Sequence, residues 1–259
     1  MKKEYAIGLG VVVVAVLFIG IFVLRERQAP ATGNEVSTTT PSTTITGGGY
    51  TIEAVPLEDF RDFMPSLTRK VQFGASIPTE VRPQIGKRVA DVLAKLTADP
   101  TQVADWLELG LLYHTANDYQ GAKEVWEFLI KVVPNDTVSY DNLGKLYHFN
   151  LKDYPKAEEY FLKSIAIAST STLPYYELHT LYRYSYKKDT AAAADILKKL
   201  ANIMPADPNP WFQLGLYYRD IGKATDAKAA LTTAMDKARA AGMIELMTQI
   251  GAELQRFAQ

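Results

Sequence analysis

The chain has 259 residues, 47% hydrophobic and 22% charged, with 28 Lys and Arg against 29 Asp and Glu, enough apolar residues to bury a core. A net charge of −1 supplies no electrostatic footprint for nucleic acid. The absence of cysteine excludes a disulfide framework, thiol catalysis, Cys-ligated zinc and a lipid-modified cysteine anchor.

In chain order, a short basic tail (1–5) precedes residues 6–24, AIGLGVVVVAVLFIGIFVL, an uncharged run of 19 residues. At ~1.5 Å per residue it reaches across the ~30 Å hydrocarbon core of a bilayer. A cleaved signal peptide is the competing reading, but the run exceeds an ordinary signal core and stops on Arg25, Glu26 and Arg27, so a transmembrane anchor is expected. Lys2, Lys3 and the α-amine balance against Arg25 and Arg27 to favour an inside N-terminus. The expectation is a single-pass membrane protein whose soluble part is extracytoplasmic.

Residues 25–49 read as a linker. Eight of the eleven residues from Val36 to Thr46 are Ser or Thr, and three glycines follow. With almost nothing apolar to bury, the stretch predicts a flexible tether. Residues 50–102 read as an N-terminal cap. Within it Phe60, Phe63, Met64, Leu67, Val71 and Phe73 need cover from water and are expected to fold back over the first repeat. Ile85, Val89, Val92 and Leu96 give the stripe of a helix.

Between 103 and 240 one frame occurs four times: WLELGLLY, YDNLGKLY, YYELHTLY and WFQLGLYY. Its opening aromatics, Trp106, Tyr140, Tyr175 and Trp211, are 34, 35 and 36 residues apart. Leucine follows at the third position, Gly110, Gly144 and Gly215 at the fourth (His179 in the third copy), and tyrosine at the seventh. That is one stripe of a helix, with glycine admitting a neighbour. A second helix follows, where Ala122, Ala157, Ala193 and Ala227 each precede Trp126, Phe161, Leu197 and Leu231 by four. The extra residues in the second and third spacings are expected in the turns FNLKDYP and YSYKKDT. His179 is expected to loosen its repeat. Residues 241–259 give a closing helix through Leu246, Ile250 and Leu254.

The pattern resembles the tetratricopeptide repeat, met most fully from Trp106 to Pro134. The resemblance implies an all-α, right-handed solenoid of helix-turn-helix units that binds proteins or peptides on the concave side lined by first helices. It is a strong signal of fold and a weak one of function. Carried onto this sequence, the inner stripe is Leu107, Leu111 and His114; Asp141, Lys145 and His148; Tyr176, Thr180 and Arg183, bordered by Tyr184; and Phe212, Leu216 and Arg219. The candidate partner-binding residues are those from Asp141 onward, Leu216 excepted.

His114 and His148 hold equivalent positions, but no third ligand has a fixed spacing, so neither metal nor cofactor is expected. No catalytic motif is present, and no enzyme activity or small-molecule substrate is expected. The functional expectation is a membrane-anchored scaffold in envelope assembly or secretion. The rival readings are a cytoplasm-facing adaptor and a self-assembling, homo-oligomeric module.

Overall fold

The computed structural model describes residues 44–47, 50–53, 61–188 and 190–257, all within the unit that begins at Ser42. The tail 1–5, the span 6–24 and most of the linker lie outside the described residues. Among the described residues no helix is long and apolar enough to cross a membrane.

Strands β1 (Thr44–Gly47) and β2 (Tyr50–Glu53) pair antiparallel, Gly47 opposite Tyr50 and Thr44 opposite Glu53. The first strand falls within the stretch expected to be a tether; from residue 61 onward the described elements are helical, as the all-α solenoid reading expected. TITG and YTIE alternate β-branched residues around Gly-Gly, which is a hairpin signal that the Ser/Thr count conceals.

Ten α-helices follow: α1 (Arg82–Ala98), α2 (Val103–Thr115), α3 (Tyr119–Val132), α4 (Thr137–Lys145), α5 (Tyr154–Ile167), α6 (Leu173–Tyr184), α7 (Ala192–Ile203), α8 (Asn209–Asp220), α9 (Ala224–Ala240) and α10 (Ile244–Gln255). Helices α2 to α9 are the four predicted pairs, with α1 and α10 packed on the two ends. Asp118, Asp136 and Asp153 accept backbone N–H groups at the starts of α3, α4 and α5, the ordinary way of meeting orphan helix donors.

The repeat glycines are needed for close approach. A Cβ on Gly144 would stand 2.5 Å from Phe161, and one on Gly215 would stand 2.6 Å from Leu231. Gly110 lies equally tight against Trp126. In the third repeat the imidazole of His179 is buried and donates from Nδ1 to the Ala193 carbonyl at 2.8 Å. The expected loosening is therefore replaced by a polar contact that ties α6 to α7. Two of the opening aromatics also carry a second function. Trp106 Nε1 donates to the Pro100 carbonyl at 2.8 Å, and the Tyr175 hydroxyl to Ser169 at 3.0 Å, each six residues back.

The second spacing is not absorbed by the turn alone. Residues Leu146–Leu151 prolong α4 as a π-helix, closed by Lys152 at φ 60°, so the helix end itself widens. The extra residues of the third spacing do fall between α6 and α7, as predicted.

Residues 61–81 form a strap that folds back over the first repeat, against its second-helix side. Arg69 donates twice to Asp118, at 2.5 and 2.8 Å, and the Gln72 amide donates to the same carboxylate at 2.8 Å. Gly74 N–H reaches the Ala116 carbonyl at 2.9 Å, while Phe63, Met64 and Pro65 lie by Phe128 and Lys131 of α3. These contacts anchor the strap on the α2–α3 turn and along a second helix, leaving Leu107 and Leu111 half-buried on the first-helix side.

The reason lies at the seventh-position tyrosines, each of which carries a cation over its ring. Lys156, Lys187 and Lys223 serve Tyr147, Tyr182 and Tyr218 from within or beside their own repeats, at 5.1, 5.4 and 5.9 Å. Tyr113 instead takes Arg69 from the strap, at 4.9 Å. Gly121 stands where the second repeat has Lys156, and a Cβ there would fall 2.7 Å from the Arg69 guanidinium.

Candidate functional site

The first helices share one side of the solenoid, and α4 reaches α6 directly. At the C-terminal ends of these helices, the last position of each predicted stripe bonds to the next repeat. His114 Nε2 meets Asn150 Oδ1 at 3.2 Å, and His148 Nε2 meets Ser185 Oγ at 2.9 Å. Arg183 pairs with Asp220, and Arg219 with both Asp220 and Glu253 of α10. The result is a polar ladder joining α2 to α10 through every intervening first helix.

The ladder occupies part of the predicted stripe. His148 Nε2, Arg183 and Arg219 are engaged within the ladder, and His148 is buried against the ring of Phe149 at 4.0 Å, its Nδ1 without a hydrogen-bond partner among the described residues. Arg183 also lies over Tyr184 at 4.6 Å, so the exposed Tyr184 ring shields an intramolecular contact. Asp141 is buried too, because α6 packs beside it. Burial pushes its carboxyl up to about 6, against the opposing effects of Ser164 and Lys145.

Lys145, Tyr176, Thr180 and Phe212 remain half-buried on the shared side. Among the described residues Lys145 has no ion pair within 4 Å, and it faces the carboxyls of Asp141 and Glu177 more loosely. Burial raises Glu177 as well. Thr180 Oγ1 donates back to the Tyr176 carbonyl at 2.9 Å.

Between α6 and α8 lies a cavity of about 390 Å³ lined by Thr172, Tyr176, His179, Thr180, Asp207, Asn209 and Gln213. The Tyr176 hydroxyl is buried without a hydrogen-bond partner, which in a folded protein calls for a ligand or water. Burial pushes this phenol up to about 12, with Asp207 adding to the shift. Of the predicted residues, the fold brings together Tyr176 and Thr180 here and separates them from Lys145. The stripe missed Asp207, Asn209 and Gln213. A signal for Gln213 was available one position further around the same helix face, and Asp207 sits in the turn DPNP, where the stripe does not extend.

Among the described residues no group of three His, Asp or Glu can hold a metal ion. The histidines bear on stability instead. Burial lowers the pKa of His114, His148 and His179; Lys152 reinforces the shift at His148, while hydrogen bonds to Asn150 and Ala193 oppose it at the other two. The unfolded chain then takes up protons first, so stability is complete above the unfolded value of ~6.5 and declines as pH falls from there through the lower folded values. The raised Asp141 and Glu177 carboxyls act in the opposite sense over this range, so the loss is read as a difference: denaturation between pH 7.5 and 5 is expected to show a shallower dependence in His148→Gln than in the wild type. An unchanged slope would remove His148 from the account.

Residues 138–171 match the family model of the tetratricopeptide repeat. Among solved structures, the chain is similar to MamA at 20% identity and a TM-score of 0.50, over 67% of this chain and 99% of that one. It is also similar to the C-terminal part of a TPR repeat-containing protein from Cytophaga hutchinsonii, at 18% identity and a TM-score of 0.50, over 60% of this chain and 63% of that one. No curated protein matches. These likenesses show the fold, a solenoid of tetratricopeptide-type repeats.

Proposed function

We propose that this chain is a non-catalytic scaffold, anchored in a membrane by residues 6–24, that binds a protein or peptide partner on the first-helix side of its later repeats. The reading rests chiefly on the strip between α6 and α8. It is concave, and its buried Tyr176 hydroxyl has no partner among the described residues. The first-helix ends are tied to one another, so this strip is where recognition groups stay available. The anchor confines the scaffold to a surface, raising its effective concentration for any partner held there. An extracytoplasmic solenoid serving envelope assembly or secretion is the setting proposed for it.

Crosslinking with a membrane-impermeant reagent on spheroplasts, followed by pulldown of the full chain, tests both partner and side. The expected result is capture of at least one protein that is lost when Tyr176→Ala and Gln213→Ala are combined. Identical capture by the variant would overturn the assignment of the strip. Capture only after the cells are opened would overturn the orientation.

A further inference from the structure

We infer that the cavity between α6 and α8 receives a basic side chain, Arg or Lys, from an extended segment of the partner; this rests on the scaffold reading above and names the chemistry of its site. The argument begins with what each lining group has left over. Asp207 Oδ1 accepts the backbone N–H of Asn209 at 2.9 Å and its side-chain Nδ2 at 2.8 Å, fixing the turn into α8. Among the described residues its other oxygen makes no hydrogen bond. His179 donates from Nδ1 to the Ala193 carbonyl, so in the neutral ring Nε2 carries a lone pair. The Tyr176 oxygen is unpartnered.

The spare atoms just named, Asp207 Oδ2, His179 Nε2 and the Tyr176 oxygen, can each accept, and among the described residues no Lys or Arg lines the cavity. An anion would meet the Asp207 charge at close range without a counter-charge. A neutral apolar group would leave the carboxylate and the phenol oxygen desolvated and unpaired, which is unfavourable. A cation with several N–H donors satisfies all three, and the Tyr176 ring offers it a π face.

The surroundings carry the same sign. Glu177 and Asp141 extend the acidic half of the inner side, with Lys145 as the nearby base. The bases at the other ends of the first helices, Arg183 and Arg219, are already neutralised by Asp220 and Glu253. Phe212 and Leu216, half-buried on the same stripe, give apolar contact to residues flanking the basic one. Such contact suits a polypeptide rather than a free cation.

The test uses the full chain in detergent micelles and three capped pentapeptides, identical except for a central arginine, lysine or norleucine. Backbone amide resonances of Asp207, Asn209 and Gln213 report binding. The arginine and lysine peptides are expected to shift them and to bind at least about tenfold more tightly than the norleucine peptide, the effect of one charge-assisted contact. Asp207→Asn keeps an oxygen for the Asn209 turn and should abolish the preference. Tyr176→Phe, which removes an orphan hydroxyl without emptying the core, should weaken both basic peptides several-fold.

Equal binding of the norleucine peptide, shifts confined to other residues, or an unchanged preference in Asp207→Asn would each overturn the inference. The two readings fail separately. Partner capture that survives Asp207→Asn removes the basic-residue assignment and leaves the scaffold standing. A peptide preference of the expected kind with no partner captured from cells does the reverse.

Discussion

Replacing Arg69 by alanine is expected to destabilise the N-terminal end of the solenoid by about 3 kcal/mol, the cost of leaving a buried carboxylate without its partner. Asp118 is the reason for so large an effect at a single strap residue. Its side chain is 2% exposed, and it accepts from both Arg69 nitrogens, from the Gln72 amide and from the Gly121 amide at the start of α3. Losing the guanidinium also removes the cation from the Tyr113 ring and empties the space that Gly121 leaves. Urea denaturation with limited proteolysis measures the outcome: cleavage within residues 66–77 should appear well before the rest of the chain unfolds, since repeat arrays lose their ends first. Arg69→Ala combined with Asp118→Ala should cost less than the two single losses added together. Simple additivity, or a strap as resistant as wild type, would show that the pair does not hold it.

The same pair sets an acid limit. Burial by itself pushes the Asp118 carboxyl up, but the hydrogen bonds from Arg69, Gln72 and Gly121 outweigh it and hold the group below the usual carboxylate range. A carboxyl with a depressed folded pKa stabilises fully above its unfolded value of ~3.9 and loses that contribution as pH falls through the folded value. This window lies below that of the histidines, so strap release and ladder loosening should separate on acidification.

Gly144→Ala is expected to cost about 1–3 kcal/mol, although alanine is by far the better helix former. The new Cβ would meet the Phe161 ring at 2.5 to 2.8 Å, and that ring is fully buried, with no free space to swing into. The helices must separate, and the π-helical end of α4 with His148 and Ser185 moves with them. Gly251→Ala in α10 is the matched control. Its Cβ would stand 3.8 Å from the end of the Met235 side chain, an ordinary contact, so the propensity gain of roughly 1 kcal/mol should be kept. Thermal melts of the two variants should move in opposite directions. A neutral Gly144→Ala would mean that the helix pair adjusts at little cost.

The glycine contrast shows what kind of information was legible. Gly110, Gly144 and Gly215 recur in register with a bulky residue in the following helix, so a one-dimensional pattern encodes a three-dimensional contact. The ladder has no such trace. His114, His148, Arg183 and Arg219 share a frame position, but their partners are an amide, a hydroxyl and two carboxylates at separations of 34 to 37 residues. Nothing in residue type marks them as one device, and read singly they resemble recognition residues. The hairpin at 44–53 was legible in its alternation but concealed by a composition typical of tethers.

The sequence by itself determined the helices, their pairing and the tight spots between them, because periodicity and size complementarity are local properties repeated four times. Its resemblance to the tetratricopeptide repeat implied that the first helices would share one side. The tertiary structure alone decided which polar groups on that side are spent. Whether an imidazole or guanidinium is satisfied depends on what the next repeat places within hydrogen-bond reach, and that distance follows from how the repeats stack. Stacking turned four of the predicted partner-binding residues, Asp141, His148, Arg183 and Arg219, inward or onto neighbours. It left Tyr176 beside Asp207, Asn209 and Gln213 with an unanswered hydroxyl.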